Sequence, residues 1–117
     1  MAFSITVRSE LGVVELRFEG AVDVAQLGDT RLEVRRLLEE DPTRNVLVDM
    51  RKMDFSMSTF DIYSFASTIQ LPTSSRIALL AKPDDKNAEF FETVAKNRGI
   101  PLRLFTELDE AMSFLKK

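Results

Sequence analysis

The stretch RIALLAKPDDKNAEFFETVAKNRGIPLRLF, residues 76–105, decides the fold. Arg76-Ile77-Ala78-Leu79-Leu80-Ala81 is a short, almost unbroken apolar run, the pattern of a strand covered on both faces. Pro83-Asp84-Asp85 then supplies the proline and acids that open a helix, and Phe90, Phe91, Val94 and Ala95 recur at helical spacing along one face. Gly99 stands where a helix needs a left-handed residue to end, and Leu102-Arg103-Leu104-Phe105 follows as another short strand. The connection between the two strands is far longer than a hairpin loop and is helical, so it is a crossover and the strands run parallel.

Outward from this unit the same grammar repeats. Asn45-Val46-Leu47-Val48-Asp49-Met50 is another apolar run, read as a central strand. Ser58 with Asp61 predicts a capped helix carrying Ile62, Tyr63, Ala66 and Ile69 on one side and ending before Pro72. Upstream, Asp23 with Gln26 resembles a capping box. The helix it opens has an inner stripe of Leu27, Thr30, Val34, Leu37 and Leu38 and an outer face of Arg31, Arg35, Arg36, Glu39 and Glu40, and it stops at Asp41-Pro42. The arginine stripe reads as a solvated face, with Glu33, Glu39 and Glu40 at salt-bridging offsets. Thr106 is read as the cap of a last helix with Leu108, Ala111, Met112 and Leu115 on its inner stripe. At the other end, Phe3, Ile5 and Val7 alternate with polar residues, as do Val14, Leu16 and Phe18 beyond Ser9-Glu10-Leu11-Gly12. That is a β-hairpin with one buried face, its second strand broken by Gly20. The order ββαβαβαβα predicts one α/β domain over residues 1–117, with an N-terminal hairpin and a mixed, mostly parallel sheet.

Composition narrows function mainly by exclusion. Among 117 residues, 16 basic against 19 acidic side chains leave a net charge of −3, so no positive field draws nucleic acid. Histidine and cysteine are both absent, which removes thiol nucleophiles, imidazole bases and the usual zinc ligands. Asp49, Asp54 and Asp61, with Lys82, have no spacing that points them at a common ion. No enzyme activity, metal or cofactor is expected. Met1–Arg8 has no basic segment leading into an apolar one, and no apolar run approaches a membrane span, so the expectation is a cytoplasmic protein without membrane insertion.

Gly12-Val13-Val14-Glu15-Leu16-Arg17-Phe18-Glu19-Gly20-Ala21-Val22-Asp23-Val24-Ala25, then a helix and Val46-Leu47-Val48-Asp49-Met50, resembles the opening of the STAS domain of sulfate transporters and anti-sigma-factor antagonists. Gly99-Ile100-Pro101-Leu102-Arg103-Leu104-Phe105 with Glu110-Ala111 is similar to the close of the small stand-alone SpoIIAA-like members. The resemblance implies the SpoIIAA-like fold and a non-enzymatic module that binds a protein partner, such as a regulatory kinase or an anti-sigma-like protein. In the family a kinase phosphorylates the first serine of Asp-Ser-Ser/Thr-Gly, which lies beyond the third strand. Here Met57-Ser58-Thr59-Phe60 stands in that place: Ser58 falls on the modified position, while Met57 and Phe60 replace the acid and the glycine. The resemblance therefore implies an interaction module without the intact serine switch; Ser58 with Asp61 reads first as a helix cap, and Ser58 is kept as a candidate phosphorylation site.

The expected contact surface is Asp54, Phe55, Met57, Ser58, Thr59, Phe60 and Ile62. Met50, Met53, Phe55, Met57 and Phe60 also concentrate soft and aromatic side chains near the exit of the third strand. They leave open a second reading, in which the domain takes an apolar small molecule or lipid, as CRAL-TRIO domains of related architecture do. Homodimer formation is left open as well.

Overall fold

The computed structural model describes residues 3–55, 58–67 and 75–116, with Phe55, Thr59, Ala66 and Ser67 described in their backbone alone. The elements are β1 (Phe3–Arg8), a 3-10 turn (Ser9–Leu11), β2 (Val13–Val22), α1 (Val24–Glu40), β3 (Asn45–Phe55) and α2 (Thr59–Ser67). They continue as β4 (Ile77–Leu80), α3 (Lys86–Asn97), β5 (Leu102–Phe105) and α4 (Leu108–Lys116). The sheet order is β1-β2-β3-β4-β5, with β1 antiparallel to β2 and every other pair parallel. The α/β reading with its N-terminal hairpin is thus borne out.

Sequential strand order has a direct consequence. Right-handed crossovers between neighbours in one direction all pass over the same face, so α1, α2 and α3 share a side. Among the described residues, α4, which follows the last strand, is the helix that reaches the other face, where it packs on β3, β4 and β5. Strand residues accordingly divide by parity. Val14, Leu16, Val46, Ile77, Leu79 and Leu102 enter the larger core with Leu27, Val34 and Leu38 of α1. Val13, Leu47, Ala78 and Leu80 meet Ala111 and Leu115 of α4 in a smaller one.

The capping box is present: the Asp23 carboxylate accepts from the Gln26 N–H, and the Gln26 side chain accepts from the Asp23 N–H, both at 2.9 Å. The buried residues of α1 are the predicted stripe, Leu27, Thr30, Val34, Leu37 and Leu38. Gly99 takes φ +75° after α3, as its terminating position requires.

Four local expectations need correction. Gly20 does not break β2: it adopts φ +75° inside the strand, pairs with Met53, and the ladder runs on to Val22. A glycine tolerates that angle, and β3 supplies partners on both sides of it. Tyr63 is 49% exposed, and the inward side of α2 is instead marked by Ile62 and by Phe65, whose ring centroid lies 5.9 Å from that of Phe91. Ala66 in its side chain, and Ile69 and Pro72 altogether, lie outside the described residues. Finally, α4 opens at Leu108 with the Ala111 N–H bonded to the Glu107 carbonyl, so Glu107 rather than Thr106 flanks its first turn, and Leu108 itself is exposed.

Candidate functional site

The predicted surface lies where β3 leaves the sheet. The β3–β4 pairing ends at Asp49–Leu80, while β3 continues beside β2 alone to the Val22–Phe55 pair. The site therefore stands at the tip of a two-stranded ribbon that overhangs the shorter strands.

An irregularity within that ribbon sets its chemistry. Arg17 pairs with Asp49 but Glu19 pairs with Lys52, so β3 carries one residue more than β2 across this interval. In a regular strand, residues three apart face opposite sides. The extra residue restores the facing, so Met50 and Met53 are both buried in the larger core while Arg51, Lys52 and Asp54 are exposed. The two methionines thus do not belong to the outer surface.

On the α4 side of the same strand, Asp49 is buried and held by Arg51, whose Nη2 and Nε lie 2.9 and 3.0 Å from its oxygens. Arg17 stands at 3.8 Å and extends the row through Glu15 to Arg8. Burial works against the charged carboxylate. The guanidinium and backbone N–H of Arg51, with the charge of Arg17, outweigh it and hold Asp49 below the usual carboxylate range. Asp49 is therefore a structural anion with its partners in place, and Asp61 is engaged in a helix cap. Among the described residues no three acidic side chains are grouped to hold a metal ion.

Ser58 opens α2. Its hydroxyl accepts from the Asp61 N–H at 3.1 Å, the Asp61 carboxylate accepts from the Ser58 N–H at 3.3 Å, and the Ser58 carbonyl receives the Ile62 N–H. This reciprocal arrangement satisfies first-turn donors that would otherwise lack partners. The residue remains exposed.

Around it the predicted residues separate. Asp54, Ser58 and Phe60 face solvent, Phe60 with 73% of its surface open. Ile62 is 1% exposed, so it forms no part of an outer contact surface and lines the interior instead. Met57, and the side chains of Phe55 and Thr59, lie outside the described residues.

Sequence reasoning missed three exposed residues at this end of the sheet. Tyr63 is exposed one turn beyond Phe60, and Val24 and Leu108 are exposed at the first positions of α1 and α4. Parallel strands place their following helices at one end of the sheet, so Val24, Phe60 and Leu108 all mark its carboxyl end. An apolar residue just after an N-cap, outside the inner stripe, was the available signal for Val24.

The whole-chain comparison is with a solved anti-sigma factor antagonist from Mycobacterium paratuberculosis: TM-score 0.64 at 14% identity, covering 98% of this chain and 95% of that one. This chain shares that protein's fold. No protein-family model matches the sequence, and no curated protein matches it.

Proposed function

We propose that this chain is a non-enzymatic regulatory module of the anti-sigma-factor-antagonist kind, which binds a protein partner through the first turns of α2. The observation that carries this is the pairing of exposed Phe60 and Tyr63 beside exposed Ser58. Large aromatics held open on a rigid helix are the residues that anchor protein interfaces. Support comes from the shared fold over nearly the full length of both chains and from a sequence with neither histidine nor cysteine. Fold alone does not assign function, so the weight rests on the site. A partner of the regulatory-kinase or anti-sigma kind, met in the cytoplasm, fits this reading.

Ser58 acts here as a cap, without a phosphate switch. Asp61 already occupies the helix start, so a phosphate on Ser58 would meet a carboxylate there. Phe60 crowds the approach where the family carries glycine.

The test is a pull-down from the native organism's lysate with the wild-type, Ser58→Ala, Ser58→Asp and Phe60→Ser forms. The expected outcome is a specific partner retained by the first three and lost by the fourth. A partner held by the Ser and Ala forms and released by Ser58→Asp would establish the switch and overturn the cap reading. A partner indifferent to Phe60→Ser would move the interface elsewhere.

A further inference from the structure

The two edges of the sheet, β1 and β5, are finished differently. In β5 the Pro101 and Phe105 carbonyls accept from the Ile77 and Ala81 N–H groups, so Leu102 and Leu104 direct their backbone groups away from the sheet. Both of those N–H groups are already taken. The Leu102 N–H reaches the Ile100 carbonyl at 2.8 Å, and the Leu104 N–H reaches a carboxylate oxygen of Glu92 on α3 at 2.6 Å.

β1 has no such cover. The Gly12 carbonyl accepts from the Asn45 N–H, so by alternation Val14 and Leu16 turn their backbone groups to β3, while Val13, Glu15 and Arg17 turn theirs to β1. Their partners Arg8, Thr6 and Ser4 are thereby used inside the sheet, and the N–H and C=O groups of Phe3, Ile5 and Val7 point outward. Among the described residues, none bonds to these groups. The features that usually blunt an edge are missing as well: β1 pairs with β2 in unbroken register, has no proline, and carries its one charged side chain, Arg8, at the last position, tied to Glu15 at 3.4 Å. The side chains of Phe3, Ile5 and Val7 pack on the larger core yet stay half-buried, whereas Phe18, Leu16 and Val14 opposite them are buried. The core therefore ends at β1 on a partly open apolar row.

The sequence of the edge indicates what fits it. Phe3-Ser4-Ile5-Thr6-Val7 alternates apolar and hydroxyl residues and keeps that alternation when read backwards. An antiparallel copy centred on Ile5 sets Ile5 opposite Ile5, Phe3 opposite Val7, and Ser4 opposite Thr6, which continues the apolar row on the helix-covered face and pairs hydroxyls on the other. In that register the outward groups of Phe3, Ile5 and Val7 meet one another as hydrogen-bonded pairs. The two Arg8 residues then stand about 20 Å apart along the strands, beyond the reach of screened repulsion.

We propose that β1 pairs antiparallel with β1 of a second copy of this chain, about a two-fold axis through Ile5, and joins the two five-stranded sheets into one. The symmetric contact closes on itself, and the covered β5 edge offers no second one, so assembly stops at two. The pairing makes no use of α2, and its test needs no other protein.

A short paired edge makes a weak dimer that dissociates on dilution. Sedimentation equilibrium of the full chain from about 10 µM to about 1 mM is expected to show monomer and dimer and nothing larger. Ile5→Pro deletes the outward N–H at the axis without deleting a bond to β2, and should abolish the dimer. Because the chain has no cysteine, single thiols report the register. Ile5→Cys sets two thiols across a hydrogen-bonded pair with Cα atoms about 5.5 Å apart, within disulfide range, and should cross-link under mild oxidation. Val7→Cys, whose copies lie about 14 Å apart, should not cross-link alone but should do so when mixed with Phe3→Cys. A chain that stays monomeric at every concentration overturns the proposal and leaves the edge to a strand of another protein, and assembly beyond the dimer overturns the closed pairing. A dimer that survives Ile5→Pro places the interface elsewhere; if circular dichroism shows that variant unfolded, the cysteine variants decide. Cross-linking of Ile5→Cys no faster than that of Val7→Cys overturns the register.

Discussion

At the amino end of the parallel strands, Asn45 donates from its side chain to the Leu115 carbonyl and accepts from the Arg76 N–H, both at 2.8 Å. Around it the Asn45, Val46 and Ile77 N–H groups reach the Gly12, Arg76 and Pro101 carbonyls, and the Ser75 hydroxyl reaches the Arg44 carbonyl. At the carboxyl end, β2 and β3 run on without β4, Phe60 and Tyr63 stand open, and the start of α2 is fastened by its own reciprocal cap. Among the described residues, the amino end is cross-linked through three elements, while Phe60 and Tyr63 at the carboxyl end remain exposed. On the proposed reading, in which the carboxyl end is a contact surface, the difference would separate residues that hold the fold from residues that meet a partner.

The comparison breaks most visibly if Asn45 proves dispensable. Asn45→Ala leaves the Arg76 N–H and the Leu115 carbonyl without their partner at a half-buried position, and the expected loss is about 2 kcal/mol. Urea unfolding measures it, with binding at the carboxyl end unaffected under native conditions. A loss no larger than that of an average surface substitution would mean that the amino end is not the anchored one.

Ser58 sharpens the contrast from the other side. Ser58→Ala removes a cap and should cost about 1 kcal/mol, while Ser58→Asp should be nearly neutral, because Asp caps as well and suits the positive helix end. Thermal melts of the three forms decide this. If the Asp form is the least stable, repulsion from Asp61 dominates and the capping account is wrong.

Asp49 marks the boundary between the two halves, at the last β3–β4 pair. Its carboxyl is held below the unfolded value, so it contributes stability that is complete above roughly pH 4 and is lost as pH falls through its folded pKa. Unfolding free energy should therefore decline on acidification below about pH 4. In Asp49→Asn, already less stable at neutral pH, that decline should be shallower. Equal acid slopes in the two proteins would show that other carboxylates carry the effect.

Much of this was legible because it is local. Capping pairs such as Asp23 with Gln26 and Ser58 with Asp61 lie three residues apart, and the inner stripe of α1 follows from helical period alone. The failures involve a second element. The extra residue in β3 exists only relative to β2, and it alone puts Met50 and Met53 on one side. The inward direction of α2 is set by Phe65 meeting Phe91 of α3, so a stripe drawn through Tyr63 missed it. Arg31 read as an outer-face residue because α1 was considered against the sheet alone, while α2 also flanks it. Which residues of the candidate surface face solvent depends on packing that the sequence does not display: Asp54, Ser58 and Phe60 are exposed, while Ile62 is buried.

The smallest stability effect carries the most information about function. Phe60→Ser removes a side chain with 73% of its surface open, so it should change unfolding free energy by less than about 0.5 kcal/mol. If this ring meets a partner, Phe60→Ser should unfold like the wild type yet bind that partner at least tenfold more weakly, since an interface hot spot contributes about 2 kcal/mol or more. Stability and binding then separate at one end of the molecule, whereas Asn45→Ala at the other end moves stability alone. A clear drop in stability on removing Phe60 would show that its ring supports the fold from outside, and the carboxyl end would no longer differ in kind from the amino end.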